Sequence, residues 1–147
     1  MVTTRRQARE WAIQMLTAAD LNPPPTAEQA IADFWAQLTT LEDEEGGTGG
    51  QLPRGKIKTF AEERVIGVLA YSAEIDAILS DLLKDWNVER LGTVERAVLR
   101  LGIWEMKYSD VPKPVVINEA IDLSNWFSTP KSRALVNGVL DRFGKRL

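Results

Sequence analysis

Apolar residues recur at spacings of three and four along most of the chain, and this period limits the possible folds more than any other feature. The first such segment includes Ala8, Trp11 and Met15. Strict alternation of apolar and polar residues, typical of a half-buried strand, is not evident. The nearest candidate is Val115-Val116-Ile117, where the preceding Pro114 favours the start of a helix instead. The chain is therefore predicted to be all-α.

Capping residues and prolines divide this pattern into about six or seven helices. The first covers residues 4–20, begins at Thr3 or Thr4, and ends before a run of three prolines. A second begins at Thr26, which forms the pattern of a capping box with Gln29. The remaining helices are predicted at residues 59–85, from Gly92-Thr93 onward, at 115–127, and after Ser128-Thr129-Pro130.

Residues 42–55 interrupt the helical pattern. Four consecutive acids, residues 42–45, lead into the sequence Gly46-Gly47-Thr48-Gly49-Gly50. Such a composition predicts a flexible acidic loop. The spacing of a phosphate-binding loop is absent, and the acids would repel phosphate. The chain is thus predicted to be one compact helical domain, residues 1–147, with a loose glycine-rich loop at 42–55.

The composition removes several classes of function. The chain of 147 residues contains no cysteine and no histidine, which excludes disulfides, thiolate metal sites and triads that need histidine. We expect no metal, no cofactor and no small-molecule substrate. The longest apolar runs are too short to cross a bilayer and no signal peptide is evident, so a cytoplasmic protein without membrane contact is expected. The net charge of -3 means that a nucleic-acid site must be a local basic patch.

Such a patch is predicted at the start of the first helix. At about 100° per residue, Arg5, Arg6 and Arg9 share roughly one quadrant, opposite the apolar stripe. Ile13 falls among these arginines and is expected to be partly exposed, and Gln14 lies further round the same polar arc. Guanidinium groups bind phosphate through two parallel hydrogen bonds, and they oppose the dipole at a helix N-terminus. The alternative is a solvated helix face without a ligand.

Several segments, taken in order, resemble the NusB family of bacterial transcription antitermination factors. Each segment is short, but together they cover nearly the whole chain outside residues 22–51. They are Arg5-Arg6-Gln7-Ala8-Arg9-Glu10, Trp86 to Leu91, Val94-Glu95-Arg96-Ala97-Val98-Leu99-Arg100-Leu101, Val116-Ile117-Asn118-Glu119-Ala120-Ile121 and Val136-Asn137-Gly138-Val139-Leu140-Asp141.

The resemblance implies a fold of two small helical bundles and a function in transcription. A member of this family pairs with NusE, a small-subunit ribosomal protein, and the pair binds the boxA sequence of nascent RNA. The pair joins an RNA polymerase complex that resists termination on ribosomal RNA operons. The resemblance therefore implies an RNA-binding regulator and not an enzyme.

The resemblance also assigns roles to residues. RNA contacts are implied for Arg5, Arg6 and Arg9, with Gln14 beside them, and Glu95 is implied to face NusE. The chain departs from the family pattern at Thr17 and Leu135, where aromatic residues are common, and at Lys131, where an acid is common. Loss of the aromatic residues removes possible base-stacking surfaces. Lys131 and Arg133 extend the expected phosphate-binding surface, unless they only form a solvated helix start.

Asn137-Gly138 and the tryptophans are expected to be structural. Glycine inside a helix costs about 1 kcal/mol against alanine, so close helix packing is expected at Gly138, with Asn137 bonding a neighbouring backbone. Of the five tryptophans, Trp126 is expected to be the most exposed, and three fall on apolar stripes.

Other features of the sequence bear on three alternative functions. A related helical domain is fused to RNA cytosine methyltransferases. This chain has neither their glycine-rich cofactor loop nor a catalytic cysteine, so the alternative is a NusB-like RNA-binding domain separated from such an enzyme. A helical protein-interaction module without RNA remains possible from the sequence. An enzyme that uses Glu62, Glu63 or the acidic loop is disfavoured, because no paired acids fall in an evident pocket.

Overall fold

Seven α-helices and no strand are present in the residues that the structure, a computed structural model, describes: 4–44, 55–84, 90–124 and 129–147. The prediction of an all-α fold is confirmed. The helices are α1 (Arg5–Leu21), α2 (Ala27–Glu44), α3 (Gly55–Ala70), α4 (Ser72–Leu83), α5 (Thr93–Tyr108), α6 (Lys113–Ser124) and α7 (Pro130–Arg146).

Threonine side chains begin three of the helices, as the sequence predicts. The hydroxyls of Thr4, Thr26 and Thr129 each accept a hydrogen bond from the backbone N–H three residues later, at 3.1–3.3 Å. Each satisfies one of the free donors of a helix N-terminus. The capping box of α2 is only half formed, because the Gln29 side chain donates to Asp33 at 2.8 Å rather than turning back to Thr26.

Two predicted boundaries are wrong. The single helix expected at 59–85 is divided at Tyr71, whose backbone leaves the helical region at φ -106° and ψ 21°. The Tyr71 ring stacks on that of Tyr108, with centroids 4.4 Å apart, a tertiary contact that local periodicity does not contain. The bounds expected for the loop, 42–55, are wrong at both ends, since α2 continues to Glu44 and α3 begins at Gly55. Residues 45–54 lie outside the described part.

The chain divides into two compact units, Met1–Ile66 and Gly67–Leu147, and the division falls inside α3. The first unit contains α1, α2 and most of α3. Trp11 and Trp35 meet edge to face with ring centroids 5.4 Å apart, an arrangement that aromatic quadrupoles favour. Its core consists of buried apolar residues of all three helices: Ala8, Trp11, Ala12, Ile13, Met15, Leu16, Ala19, Ile31, Ala61 and Val65.

In the second unit, α5 packs against α4, α6 and α7. Gly102 permits the close approach of α5 and α7, because a Cβ there would lie 2.9 Å from both methyl groups of Leu140. The Lys113 ammonium of α6 donates to the carbonyls of Gly144 and Leu147 at 2.9 and 3.2 Å. A cation at this position also complements the negative end of the α7 dipole.

Close packing at Gly138 is not observed, and that prediction is wrong. A Cβ at Gly138 would meet only the Arg142 guanidinium at 3.8 Å, an ordinary contact. The Asn137 side chain is exposed on the same helix. Trp126, expected to be partly exposed, lies outside the described residues, as do residues 125–127 of the helix predicted at 115–127. None of the described helices is long and apolar enough to span a membrane.

Candidate nucleic-acid interface

The first turns of α1 present part of the predicted basic patch to solvent. Arg5 and Arg6 are exposed in the first turn, and Gln14 is exposed further along the helix. Their positions follow from the Thr4 cap, which starts α1 immediately before Arg5. The geometry agrees with the expected polar arc at these three positions. Their contact with RNA stays a prediction.

Arg9 does not lie on this exposed face, so the expectation of three solvent-facing guanidinium groups is wrong. Arg9 is 3% exposed, and Ile13, one turn later, is 1% exposed. The cause is a second covered side of α1: the guanidinium carbon of Arg9 lies 5.0 Å from the ring centroid of Phe60 in α3. The period of α1 predicts its main apolar stripe. It does not predict that α3 covers the adjacent side of α1, where Arg9 and Ile13 lie.

Phe60 gathers three guanidinium groups within the first unit. The Cζ atoms of Arg5, Arg9 and Arg64 lie 5.6, 5.0 and 3.3 Å from its ring centroid. Arg64 is 4% exposed and its Nη1 donates to the Phe60 carbonyl at 3.4 Å. We call Arg5, Arg9, Phe60 and Arg64 the Phe60 cluster. Guanidinium groups stack favourably on aromatic faces.

Sequence reasoning missed Phe60 and Arg64 as members of this site. Their separation of four residues within one helix is a usable signal, since side chains at this spacing are neighbours. Nothing in the sequence, however, places α3 beside the arginines of α1. The cluster therefore emerges only from tertiary structure.

Two acids of the first unit, Glu62 and Glu63, make structural contacts. Glu62 accepts a hydrogen bond from the Trp35 indole at 2.7 Å, and Glu63 lies 3.9 Å from the Arg64 guanidinium. Burial raises the pKa of Glu10, while the charge of Arg6 acts in the opposite direction. Across the described ranges, no three residues of the metal-ligating types histidine, cysteine, aspartate and glutamate gather in one place.

A groove in the second unit brings together two of the remaining predicted site residues. Its volume is about 280 Å³. Glu95 and Lys131 both line it, as does Leu135, which replaces the aromatic residue common in the family. Arg133 is half-buried and does not line the groove. The lining residues are Arg90, Leu91, Glu95, Thr129, Lys131, Ser132 and Leu135.

Glu95 also has a structural task at the start of α5. Its carboxylate accepts a hydrogen bond from the backbone N–H of Gly92 at 3.2 Å, the returning half of a capping box. The side chain is half-buried. Its predicted contact with a partner protein therefore concerns a carboxylate that the fold already holds in place. A change at Glu95 affects both the helix start and the groove.

Comparison with known proteins shows which family has this architecture. The family model described as the NusB family matches residues 6–145. The transcription antitermination protein NusB of Desulforamulus reducens is 40% identical over 139 residues, which cover 94% of this chain and 87% of that protein. The NusB of Sorangium cellulosum is 36% identical and covers 97% of this chain and 93% of its own length.

Solved structures agree with the sequence relatives. A structure of NusB from T. maritima has a TM-score of 0.77 and 30% identity, and covers 99% of this chain and 93% of its own. A chain from a crystal structure of antitermination factors NusB and NusE in complex with dsRNA has a TM-score of 0.74 at 26% identity, with complete coverage of both chains. With a matching family model over almost its whole length and relatives at this level of identity, the chain belongs to the NusB family.

Proposed function

We propose that this chain is a transcription antitermination factor that binds boxA-type RNA together with a NusE-type ribosomal protein. In this role it joins an RNA polymerase antitermination complex and promotes processive transcription of ribosomal RNA operons. Support comes from relatives that are transcription antitermination proteins, and from the match to a structure of NusB and NusE in complex with dsRNA. The site residues are those argued from α1 and from the groove in the second unit.

The observation that carries the RNA-binding part is the pair of exposed arginines in the first turn of α1. Arg5 and Arg6 present two guanidinium groups to solvent at the end of a helix whose next turns are largely buried. Cations at a helix N-terminus oppose the macrodipole, so helix stability does not account for them. Binding of a polyanion does, because guanidinium groups form paired hydrogen bonds with phosphate.

The partner-binding part rests on Glu95 and the groove that it lines. A carboxylate fixed by the helix cap is preorganised for a cationic or N–H donor group on a partner. Lys131 lines the same groove and offers a phosphate contact beside it. We therefore propose that the groove lies where partner and RNA meet on this chain, with Arg133 and Gln14 as additional RNA contacts.

No catalytic step is part of the proposal. The absence of histidine and cysteine leaves only carboxylate, lysine and tyrosine chemistry, and the described acids near the basic patch serve structural contacts. We place the protein in the cytoplasm, where transcription of ribosomal RNA operons occurs in bacteria.

A binding titration tests the proposal. Labelled boxA RNA and a scrambled RNA of equal length are titrated with the chain alone and with the chain plus NusE, at several salt concentrations. We expect weak, salt-sensitive binding by the chain alone, because few cations release few counterions. We expect NusE to tighten boxA binding at least about tenfold, roughly 1.4 kcal/mol of coupling. Equal affinity for both RNAs under all conditions contradicts the proposal.

A further inference from the structure

Phe60 connects two arginines of α1, the exposed Arg5 and the buried Arg9, to α3. The ring belongs to α3, yet the guanidinium carbons of Arg5 and Arg9 in α1 lie 5.6 and 5.0 Å from its centroid. Arg64, one turn further along α3, lies closest, at 3.3 Å. One half-buried aromatic side chain thus orders guanidinium groups from two helices.

The three arginines of the cluster differ in their access to solvent. Arg9 and Arg64 are 3% and 4% exposed, while the Arg5 side chain is exposed to solvent. A buried guanidinium must be compensated by nearby groups, and the negative face of an aromatic ring contributes to this. Arg9 and Arg64 therefore belong to the interior of the first unit, and Arg5 is the member of the cluster that a ligand reaches.

The ring itself is a poor surface for stacking a nucleotide base. A guanidinium 3.3 Å from the ring centroid already occupies one face of Phe60. The contact of Arg5 with the ring, at 5.6 Å, is a cation–π attraction that uses the charge of the guanidinium and none of its N–H donors. Contact with the ring thus restricts where Arg5 points without using the donors that bind phosphate.

A restricted arginine binds a phosphate more tightly than a freely moving one. A long side chain loses rotamer freedom when it binds, and a side chain that is already ordered loses less. This lower entropic cost favours the binding of an anionic ligand at Arg5.

We propose that Phe60 and Arg64 are positioning residues of the RNA interface, which hold the Arg5 guanidinium in place for an RNA phosphate. This inference rests on the proposed function, because it names residues that act on the same ligand. The ring restrains Arg5, and Arg64 fixes the ring by covering one of its faces. Neither residue touches the RNA in this account.

A double-mutant cycle tests the proposal with the chain and NusE bound to boxA RNA. Phe60→Leu keeps an apolar side chain but removes the aromatic face, and we expect it to weaken RNA binding about two- to fivefold. In an Arg5→Ala background the same change is expected to have almost no effect. Arg64→Met is expected to show the same dependence on Arg5, and Phe60→Tyr, which keeps the ring, is expected to bind like the unaltered protein.

Phe34→Leu is the matched control, because Phe34 is also half-buried in the first unit and packs on Trp35 with centroids 5.2 Å apart. Its effect on RNA binding should be independent of Arg5. Additive effects of Phe60→Leu and Arg5→Ala on the free energy of RNA binding overturn the inference. A general loss of stability would produce such additivity. Additive effects leave the proposed function intact.

A measurement without RNA separates the two proposals. The Nε–H signal of Arg5, followed by NMR in the free protein, should carry a ring-current shift that Phe60→Leu abolishes and Phe60→Tyr retains. An Arg5 signal that is the same in all three proteins overturns the inference whatever the RNA data. Failure of the unaltered chain with NusE to bind boxA RNA overturns the proposed function, and with it the role inferred for Phe60 and Arg64.

Discussion

The indole ring of Trp104 in α5 lies so close to the Cα of Gly67 in α3 that a Cβ at residue 67 would overlap three of its atoms. Both residues belong to the second unit. The absence of a side chain at residue 67 is therefore a requirement of packing between these helices and not of backbone conformation.

Gly67→Ala is expected to destabilise the protein by roughly 1–3 kcal/mol, the usual cost of overpacking a close contact. The indole must move, because its ring is rigid and the helix backbone of α3 cannot yield. Urea unfolding followed by circular dichroism measures the change as a lower midpoint at constant slope. A midpoint equal to that of the unaltered protein would show that Trp104 adjusts without cost.

Gly138→Ala is the control for this change and is expected to act in the opposite direction. The new methyl group would meet only the Arg142 guanidinium, at 3.8 Å. Alanine in a helix interior is favoured over glycine, so stability should rise by up to about 1 kcal/mol. A loss of stability in the same unfolding assay would mean that Gly138 has a packing role that the structure does not reveal.

Replacing both Arg5 and Arg6 with alanine should weaken boxA RNA binding and flatten its dependence on salt. Each lost phosphate contact lowers the slope of log affinity against log salt by about 0.7–0.9. Because both side chains are exposed, folding should be little affected. Lys145→Ala, which also removes an exposed cation, is the control and should leave the slope unchanged. An unchanged slope in the double variant would exclude phosphate contacts at these residues.

Two substitutions at Glu95 separate its structural task from its proposed partner contact. Glu95→Gln keeps an oxygen that accepts from the Gly92 N–H but removes the charge, so NusE affinity should fall while stability stays nearly constant. Glu95→Ala removes the cap as well and should cost about 0.5–2 kcal/mol of stability. Calorimetric titration with NusE and urea unfolding measure the two effects. Full NusE affinity in Glu95→Gln would confine Glu95 to the helix cap.

Stability at acid pH should depend on Glu74. Hydrogen bonds from Lys107, chiefly, and from the Tyr108 hydroxyl lower the pKa of Glu74 from its usual 4.5. The pKa of Glu74 is lower in the folded state than in the unfolded state, so these hydrogen bonds stabilise the fold fully above about pH 4.5. This stabilisation is lost as the pH falls through the folded-state pKa of Glu74. The pKa values of Lys107 and Tyr108 are raised, so their contributions are lost at alkaline pH instead.

Glu74→Gln should therefore reduce the difference in unfolding free energy between neutral and acid pH. The effect is expected to be small, because Glu74, Lys107 and Tyr108 are open to solvent. Asp110→Asn, at an exposed acid in the loop between α5 and α6, is a suitable control. A pH profile identical to that of the unaltered protein would show that these hydrogen bonds do not persist in solution.

Local rules predicted three capped helix starts and missed the helix break at Tyr71. The caps at Thr4, Thr26 and Thr129 act within one helical turn, so their chemistry is readable from the sequence. The break at Tyr71 contains neither glycine nor proline, and the stack with Tyr108 comes from a helix more than 30 residues away. Periodicity alone continues a helix through such a position.

In the candidate site, too, local features were predicted and tertiary ones were not. The exposure of Arg5, Arg6 and Gln14 follows from the period of α1, and it was predicted correctly. The burial of Arg9 and Ile13 was not, because one helical wheel cannot tell how many neighbours surround a helix. Phe60 and Arg64 were missed because their partners lie on a different helix.

The buried position of Arg9 bears on how the arginine-rich opening is preserved during evolution. A chain that ceased to bind RNA would be freer to exchange Arg5 and Arg6 than Arg9 for other polar residues, since both side chains are exposed. Arg9 would still be retained by selection for folding, because it fills space against Phe60. Survival of Arg9 in a distant relative is thus evidence for the shared fold, whereas survival of Arg5 and Arg6 is the better sign that RNA is still bound.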